Sequence, residues 1–81
     1  MSGKMTISNV VQLRNLFIRL RKAILENDFD TARFYNNFLF SYNLCLLDSR
    51  IIDFIQYNSI NNAVEKLTAK YFKNVSEKVS V

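Results

Sequence analysis

The side chains of this sequence that could take part in chemistry are seven carboxylates, seven serines, one cysteine and eleven basic residues. Histidine is absent, so the usual general base and the commonest metal ligand are both missing. Cys45 alone can form neither a thiolate zinc site nor a disulfide within the chain, and its apolar neighbours predict a small buried hydrophobe. Gly3 is the only glycine, which excludes a glycine-rich phosphate loop. We therefore expect no metal ion and no cofactor.

Two pairs of carboxylates come closest to an acid–base arrangement. Asp48 and Asp53 are five residues apart, a spacing that does not bring two side chains onto one face of a helix. Asp28 and Asp30 lie in the segment ENDFD, where capping of a following helix explains them better. The serines have no histidine to activate them. We therefore expect that the protein is not an enzyme and has no catalytic residues.

The apolar residues of the first third of the chain predict an amphipathic helix. They recur at alternating spacings of three and four, in the series Val10, Leu13, Phe17, Leu20 and Ile24. We place this helix at about residues 9–26, with Ser8 as its N-cap. The polar segment 26–30 then predicts the bend of a helical hairpin, in which Asp28 or Asp30 caps the next helix.

The second helix begins near Thr31 and is apolar around most of its circumference, as is typical of a helix buried on most sides. The sequence leaves open whether this helix ends at Asp48 or continues to Tyr57. The polar segment NSINN, residues 58–62, predicts a further break, with Ser59 as a candidate N-cap.

An amphipathic helix over about residues 60–74 completes the predicted elements. The sequence thus predicts an all-α fold, either a helical hairpin or a small three-to-four-helix bundle, assembled as an oligomer. We expect an N-terminal arm over residues 1–8, a single helical domain over 9–75 and a frayed tail over 76–81.

The membrane is an unfavourable partner for this sequence. Its longest apolar run is far shorter than the roughly 20 residues of a membrane-spanning helix, and the N-terminal residues do not resemble a secretory signal. The amphipathic pattern fits bundle packing better than a surface-bound helix. We therefore expect a cytoplasmic protein. Its ten asparagines suggest an A+T-rich genome, of the kind that many phages and mobile elements carry.

A second apolar stripe on the first helix predicts protein binding. Val11, Ile18 and Leu25 are spaced seven residues apart, on nearly the opposite face from the first series. A bundle of this length has one centre and cannot bury both faces, and a few exposed apolar residues in one patch can drive association. The predicted interface, with two arginines as a charged rim, comprises Val11, Arg14, Ile18, Arg21, Leu25, Phe40, Leu44 and Leu47. The partner is a second copy, in a homodimer or higher oligomer, or a larger protein that carries the chain as a regulatory, inhibitor, adaptor or assembly subunit.

The net charge of +4 leaves nucleic-acid binding as the alternative. Basic side chains bind phosphates by displacing counterions, and the candidates are Arg14, Arg19, Arg21, Lys22, Lys66, Lys70 and Lys73. On the first helix these cations are divided around the apolar stripe, whereas a groove-reading helix presents its polar and basic side chains together. We therefore prefer protein binding and keep a small nucleic-acid-binding regulator as the second interpretation.

Overall fold

The protein folds into three α-helices that pack together. The structure, a computed structural model, describes residues 5–79, with side-chain surroundings for residues 5–75. Helix α1 spans Ile7–Leu25, α2 spans Phe29–Asp48 and α3 spans Phe54–Val79, and no strand forms among the described residues. The predicted all-α class is confirmed, in the form of a three-helix bundle. Residues 1–4 of the predicted arm and 80–81 of the predicted tail lie outside the described residues.

Helix α1 begins two residues earlier than predicted because its N-cap is Thr6 rather than Ser8. The Thr6 hydroxyl accepts a hydrogen bond from the backbone N–H of Asn9 at 3.2 Å, and the Asn9 side-chain oxygen accepts one from the backbone N–H of Thr6 at 3.1 Å. This reciprocal capping box satisfies two of the backbone donors that a helix start leaves free.

The turn between α1 and α2 is made without glycine. Asn27 adopts a left-handed conformation with φ of 55°, and its N–H donates to the carbonyl of Ile24 at 3.0 Å. The N–H of Asp28 donates to the carbonyl of Ala23 at 2.8 Å, which completes a Schellman motif. The Asp28 carboxylate then accepts from the N–H of Thr31 at 3.3 Å. Asp28 is thus confirmed as the cap of α2, which begins at Phe29 rather than near Thr31.

The turn between α2 and α3 repeats the same backbone pattern. Arg50 is left-handed with φ of 59°, and its N–H donates to the carbonyl of Leu47 at 3.0 Å. The N–H of Ile51 donates to the carbonyl of Leu46 at 2.9 Å. Helix α2 therefore ends at Asp48, which decides the question that the sequence left open.

Helix α3 starts at Phe54, so the predicted break at residues 58–62 and the predicted cap at Ser59 are wrong. The Asp53 carboxylate accepts from the N–H of Gln56 at 2.8 Å, and the Gln56 side chain accepts from the N–H of Asp53 at 3.0 Å. This capping box moves the helix start six residues upstream of the predicted one. The polar residues 58–62 lie within this helix, where Asn61 accepts a hydrogen bond from Asn43 of α2 and the side chains of Asn58, Ser59 and Asn62 are exposed.

Helix α2 is the central element, and the core forms where α1 and α3 pack against it. Contacts are most numerous between α1 and α2 and least numerous between α1 and α3. The buried apolar side chains are Leu13, Leu16, Leu20, Ala23, Ala32, Leu39, Leu46, Ile52 and Val64. The resulting molecule is elongated, with extents of 50 × 20 × 15 Å.

Polar and aromatic contacts show that each helix runs antiparallel to the next. The Asn9 amide donates to the Tyr42 hydroxyl at 3.1 Å, which joins the start of α1 to the second half of α2. Phe29, at the start of α2, packs edge-on against Phe72 of α3 with ring centroids 5.8 Å apart. Residues beyond Phe72 in α3 therefore extend past the start of α2.

One polar side chain is fully buried between α2 and α3. The amide nitrogen of Asn43 donates to the side-chain oxygen of Asn61 at 2.9 Å and to the backbone carbonyl of Tyr57 at 3.1 Å. Asn43 has no solvent exposure, so these bonds form where water does not compete.

Candidate protein-binding surface

Helix α1 has one apolar face in the core and a second apolar face in solvent. Its buried residues are Leu13, Leu16, Leu20 and Ala23. At 100° per residue, the opposite side of the helix carries four large apolar side chains with exposed fractions of 85%, 48%, 53% and 75%, in the order Ile7, Val11, Ile18 and Leu25. Three of the four belong to the predicted interface. Ile7 was missed because the helix was predicted to begin at residue 9.

Two exposed arginines complete this line. Arg14 and Arg21 lie between the apolar residues, so the spacing along the helix is four, three, four, three, four. We call these six residues the outer stripe of α1: Ile7, Val11, Arg14, Ile18, Arg21 and Leu25. This is the spacing by which one helix presents a seam to another.

The outer stripe lies on a helix that has no acidic residue between Ile7 and Leu25. Within the described part of the chain, neither Arg14 nor Arg21 makes an ion pair. Lys22 pairs with Glu26 at 3.8 Å, but both side chains are mostly exposed, and such pairs contribute little. The face that α1 turns to solvent is therefore both apolar and cationic.

Arg19 is different from the other cations of α1 because it contacts α2. Its guanidinium donates to the Tyr35 hydroxyl at 3.2 Å and lies 6.0 Å from the centre of the Tyr35 ring. An open groove of about 430 Å³ lies between α1 and α2. It is lined by Arg19, Lys22 and Tyr35 and by residues at the turn that joins the two helices. Arg19 therefore helps to hold the two helices together.

The predicted interface residues of α2 do not all lie on the surface. Leu44 is exposed, but Phe40 and Leu47 are partly buried and pack against the core. The expectation that all three are exposed is wrong for these two, because α2 is central and has a helix on each of two sides.

The exposed aromatics of α2 are instead Phe34 and Phe38, which are 58% and 40% exposed. Together with Asn37, Ser41 and Tyr42 they line a shallow groove of about 370 Å³. Their spacing of four residues was visible in the sequence, but the face of α2 that meets α1 and α3 was not. Cys45 is also exposed, so the prediction of a buried thiol is wrong.

The lysines of α3 also lie on the side away from the core. Lys66, Lys70 and Lys73 are exposed, opposite the buried Val64. Six exposed positions of α3 repeat the four-three spacing of the outer stripe. We call them the outer line of α3: Ile55, Ser59, Asn62, Lys66, Ala69 and Lys73. The seven predicted nucleic-acid contacts are therefore divided between two helices, α1 and α3.

Between residues 5 and 79, no group of three or more His, Cys, Asp or Glu side chains comes together as a metal site. In the same range, none of the helices combines the length and apolar composition that crossing a membrane requires. Comparison with known proteins found no matching family model, and no curated protein or solved structure that matches the chain significantly.

Proposed function

We propose that the protein acts by binding other proteins through the outer stripe of α1. It works without catalysis, in the cytoplasm, as a homo-oligomer or as a small regulatory, inhibitor, adaptor or assembly subunit on a larger partner. The observation that carries this proposal is the line of four large apolar side chains, each about half exposed or more, on one face of a 19-residue helix.

Burial of that line supplies the free energy for association. Fully burying one such side chain contributes roughly 1.5–3 kcal/mol. The four residues are still about half exposed or more, so part of this free energy remains available to favour association with a partner. Scattered exposed hydrophobes are normal on any protein surface. An alternating three-and-four series along one helix is the arrangement of a packing seam instead.

The first experiment measures mass and partners for the wild type and for Ile18→Glu. Light scattering at micromolar concentration tests self-association, and affinity capture from the source cells tests binding to a different protein. We expect Ile18→Glu to lose whichever association the wild type shows, because a carboxylate would have to be buried in the contact.

The matched control is Ala69→Glu, which adds the same charge at an exposed position on the outer line of α3. It should leave the association intact. The proposal fails if the wild type is a monomer that captures no protein, or if Ile18→Glu keeps the same mass and the same partners.

Nucleic-acid binding is the alternative function, and the exposed Lys66, Lys70 and Lys73 on one side of α3 favour it. Affinity for duplex DNA should then fall steeply with salt, with a slope in the logarithmic plot of about 0.9 for each phosphate contact. The double substitution Lys66→Glu and Lys70→Glu would reduce both the affinity and this slope. An absence of binding to DNA and RNA at low salt removes the alternative.

A further inference from the structure

We infer that the outer stripe of α1 docks an acidic amphipathic helix of a different protein, rather than a second copy of this chain. The inference rests on the proposed function and names the chemistry of its partner. It follows from three properties of the stripe: its spacing, its charge and the placement of the chain's own carboxylates.

The spacing favours a helix as the occupant. The six positions of the stripe repeat at four and three over the whole length of α1, so the exposed seam is about 27 Å long at 1.5 Å per residue. A second helix laid along this seam can place a side chain between successive stripe residues at every turn. A helix of similar length would cover all four exposed apolar residues.

The charge argues against a second copy of α1. In a parallel pair, Arg14 and Arg21 would each face the same arginine of the other copy, which brings like charges together in a contact that excludes water. In an antiparallel pair with the stripes aligned, Arg14 would face Ile18 and Arg21 would face Val11. Each guanidinium would then lose water without gaining a carboxylate.

The described acidic residues of this chain do not match the stripe either. Helix α2 has no acidic residue between Asp30 and Asp48, although its exposed Phe34 and Phe38 form an apolar face. In α3, residues 54–75, whose side chains the structure describes, include one acidic residue, Glu65. None of these helices offers two carboxylates seven residues apart, which is the separation of Arg14 and Arg21.

A partner helix with apolar residues and with glutamates seven residues apart matches both the apolar residues and the two arginines of the stripe. Its apolar residues would cover Ile7, Val11, Ile18 and Leu25, and its carboxylates would form bidentate pairs with the two guanidinium groups. Nucleic acid offers phosphates but no apolar surface for these four residues. An anionic membrane surface offers both, so it is included among the outcomes of the test.

The test uses the full chain and two synthetic helices of three heptads. Each peptide carries Leu and a charged residue at alternating seam positions and Ala elsewhere; the charged residue is Glu in one peptide and Lys in the other. Fluorescence anisotropy measures binding of each labelled peptide at low salt. We expect the Glu peptide to bind at least about tenfold more tightly than the Lys peptide, because charge pairs across an interface decide between partners.

Three variants assign the binding to the stripe. Ile18→Glu should weaken binding of the Glu peptide by about tenfold or more, and Ala69→Glu should leave it unchanged. The double variant Arg14→Glu and Arg21→Glu should reverse the preference, so that the Lys peptide binds more tightly. A reversal cannot result from loss of folding, and circular dichroism checks that each variant keeps its helices.

The inference is overturned if the two peptides bind equally, if neither binds, or if vesicles of phosphatidylserine and phosphatidylcholine bind through Ile18 more tightly than the Glu peptide. A wild-type dimer that Ile18→Glu dissociates, without any preference for the Glu peptide, would leave the proposed function standing and remove this inference alone. If no association of any kind depends on Ile18, both fail.

Discussion

Helices α1 and α3 both turn cations away from the core, but the residues between those cations differ. The outer stripe of α1 has large apolar side chains at four of its six positions. The outer line of α3 has a large apolar side chain at one position, Ile55. The two lines have the same spacing and both are exposed. A basic outward face is therefore common to both helices, and only the exposed apolar residues distinguish α1 as the proposed binding surface.

The largest predicted change in the free energy of unfolding distinguishes the buried face of α1 from its outer stripe. Leu20→Ala should lower the free energy of unfolding by about 2.5–5 kcal/mol, because Leu20 is fully buried and its truncation leaves a cavity. Ile18→Ala, on the outer stripe, should change it by less than about 1 kcal/mol. Urea unfolding followed by circular dichroism measures both.

A comparable loss for Ile18→Ala would contradict the assignment of Ile18 to solvent in the isolated chain. If that loss grew with protein concentration, it would instead show that the stripe is already covered in an oligomer. The outer stripe of α1 would then be buried against another chain, whereas the outer line of α3 would be exposed to solvent.

A smaller change in the free energy of unfolding is expected for the polar contacts that join α2 to α3 and to α1. Asn43→Ala should lower the free energy of unfolding by about 1–3 kcal/mol, because it empties a fully buried site and leaves the partly buried Asn61 side-chain oxygen without its donor. Tyr42→Phe removes the more exposed hydrogen bond to Asn9 of α1 and should remove less than about 1 kcal/mol. Thermal and urea unfolding of the two variants should rank them in this order; equal losses would show that α1 and α3 are held by polar contacts of equal strength.

The smallest effect concerns the turns that lead from α1 to α2 and from α2 to α3. Arg50→Gly should raise the free energy of unfolding by about 0.5–1 kcal/mol, because glycine adopts the left-handed conformation without steric cost. Asn27→Gly should raise it by less than about 0.5 kcal/mol, since asparagine tolerates this conformation better than arginine. A lower melting temperature for Arg50→Gly would mean that the arginine side chain stabilises the turn by a contact of its own.

The helical type of the elements could be predicted from the sequence because apolar periodicity indicates a buried helix face. Their number could not be, since the sequence leaves open whether the second helix ends at Asp48 or continues to Tyr57, and the predicted fold ranges from a hairpin to four helices. The helix starts were harder, since Ser8 and Ser59 are as suitable for capping as the residues that cap. The pairs Thr6 with Asn9 and Asp53 with Gln56 decide the starts, and both pairs have the three-residue spacing of a capping box.

The exposed apolar residues could be predicted on α1 but not on α2, for a physical reason. Helix α1 is peripheral, so one apolar face must be inside and the other outside. Helix α2 is apolar all round, and only its position between two helices decides that Phe40 packs against the core while Phe34 does not. The identity of the central helix is a property of the packing and not of any one segment.

Asn43 determines more than the stability of the contact between α2 and α3. If α3 slipped along α2 by one turn, about 5.4 Å, Asn61 would move away from the Asn43 amide and leave a buried donor without its acceptor. The surrounding Leu and Val contacts are not directional and would resist this slip much less. The amide therefore selects one alignment of α3 along α2, and this alignment fixes the positions of the α3 lysines along the length of α2.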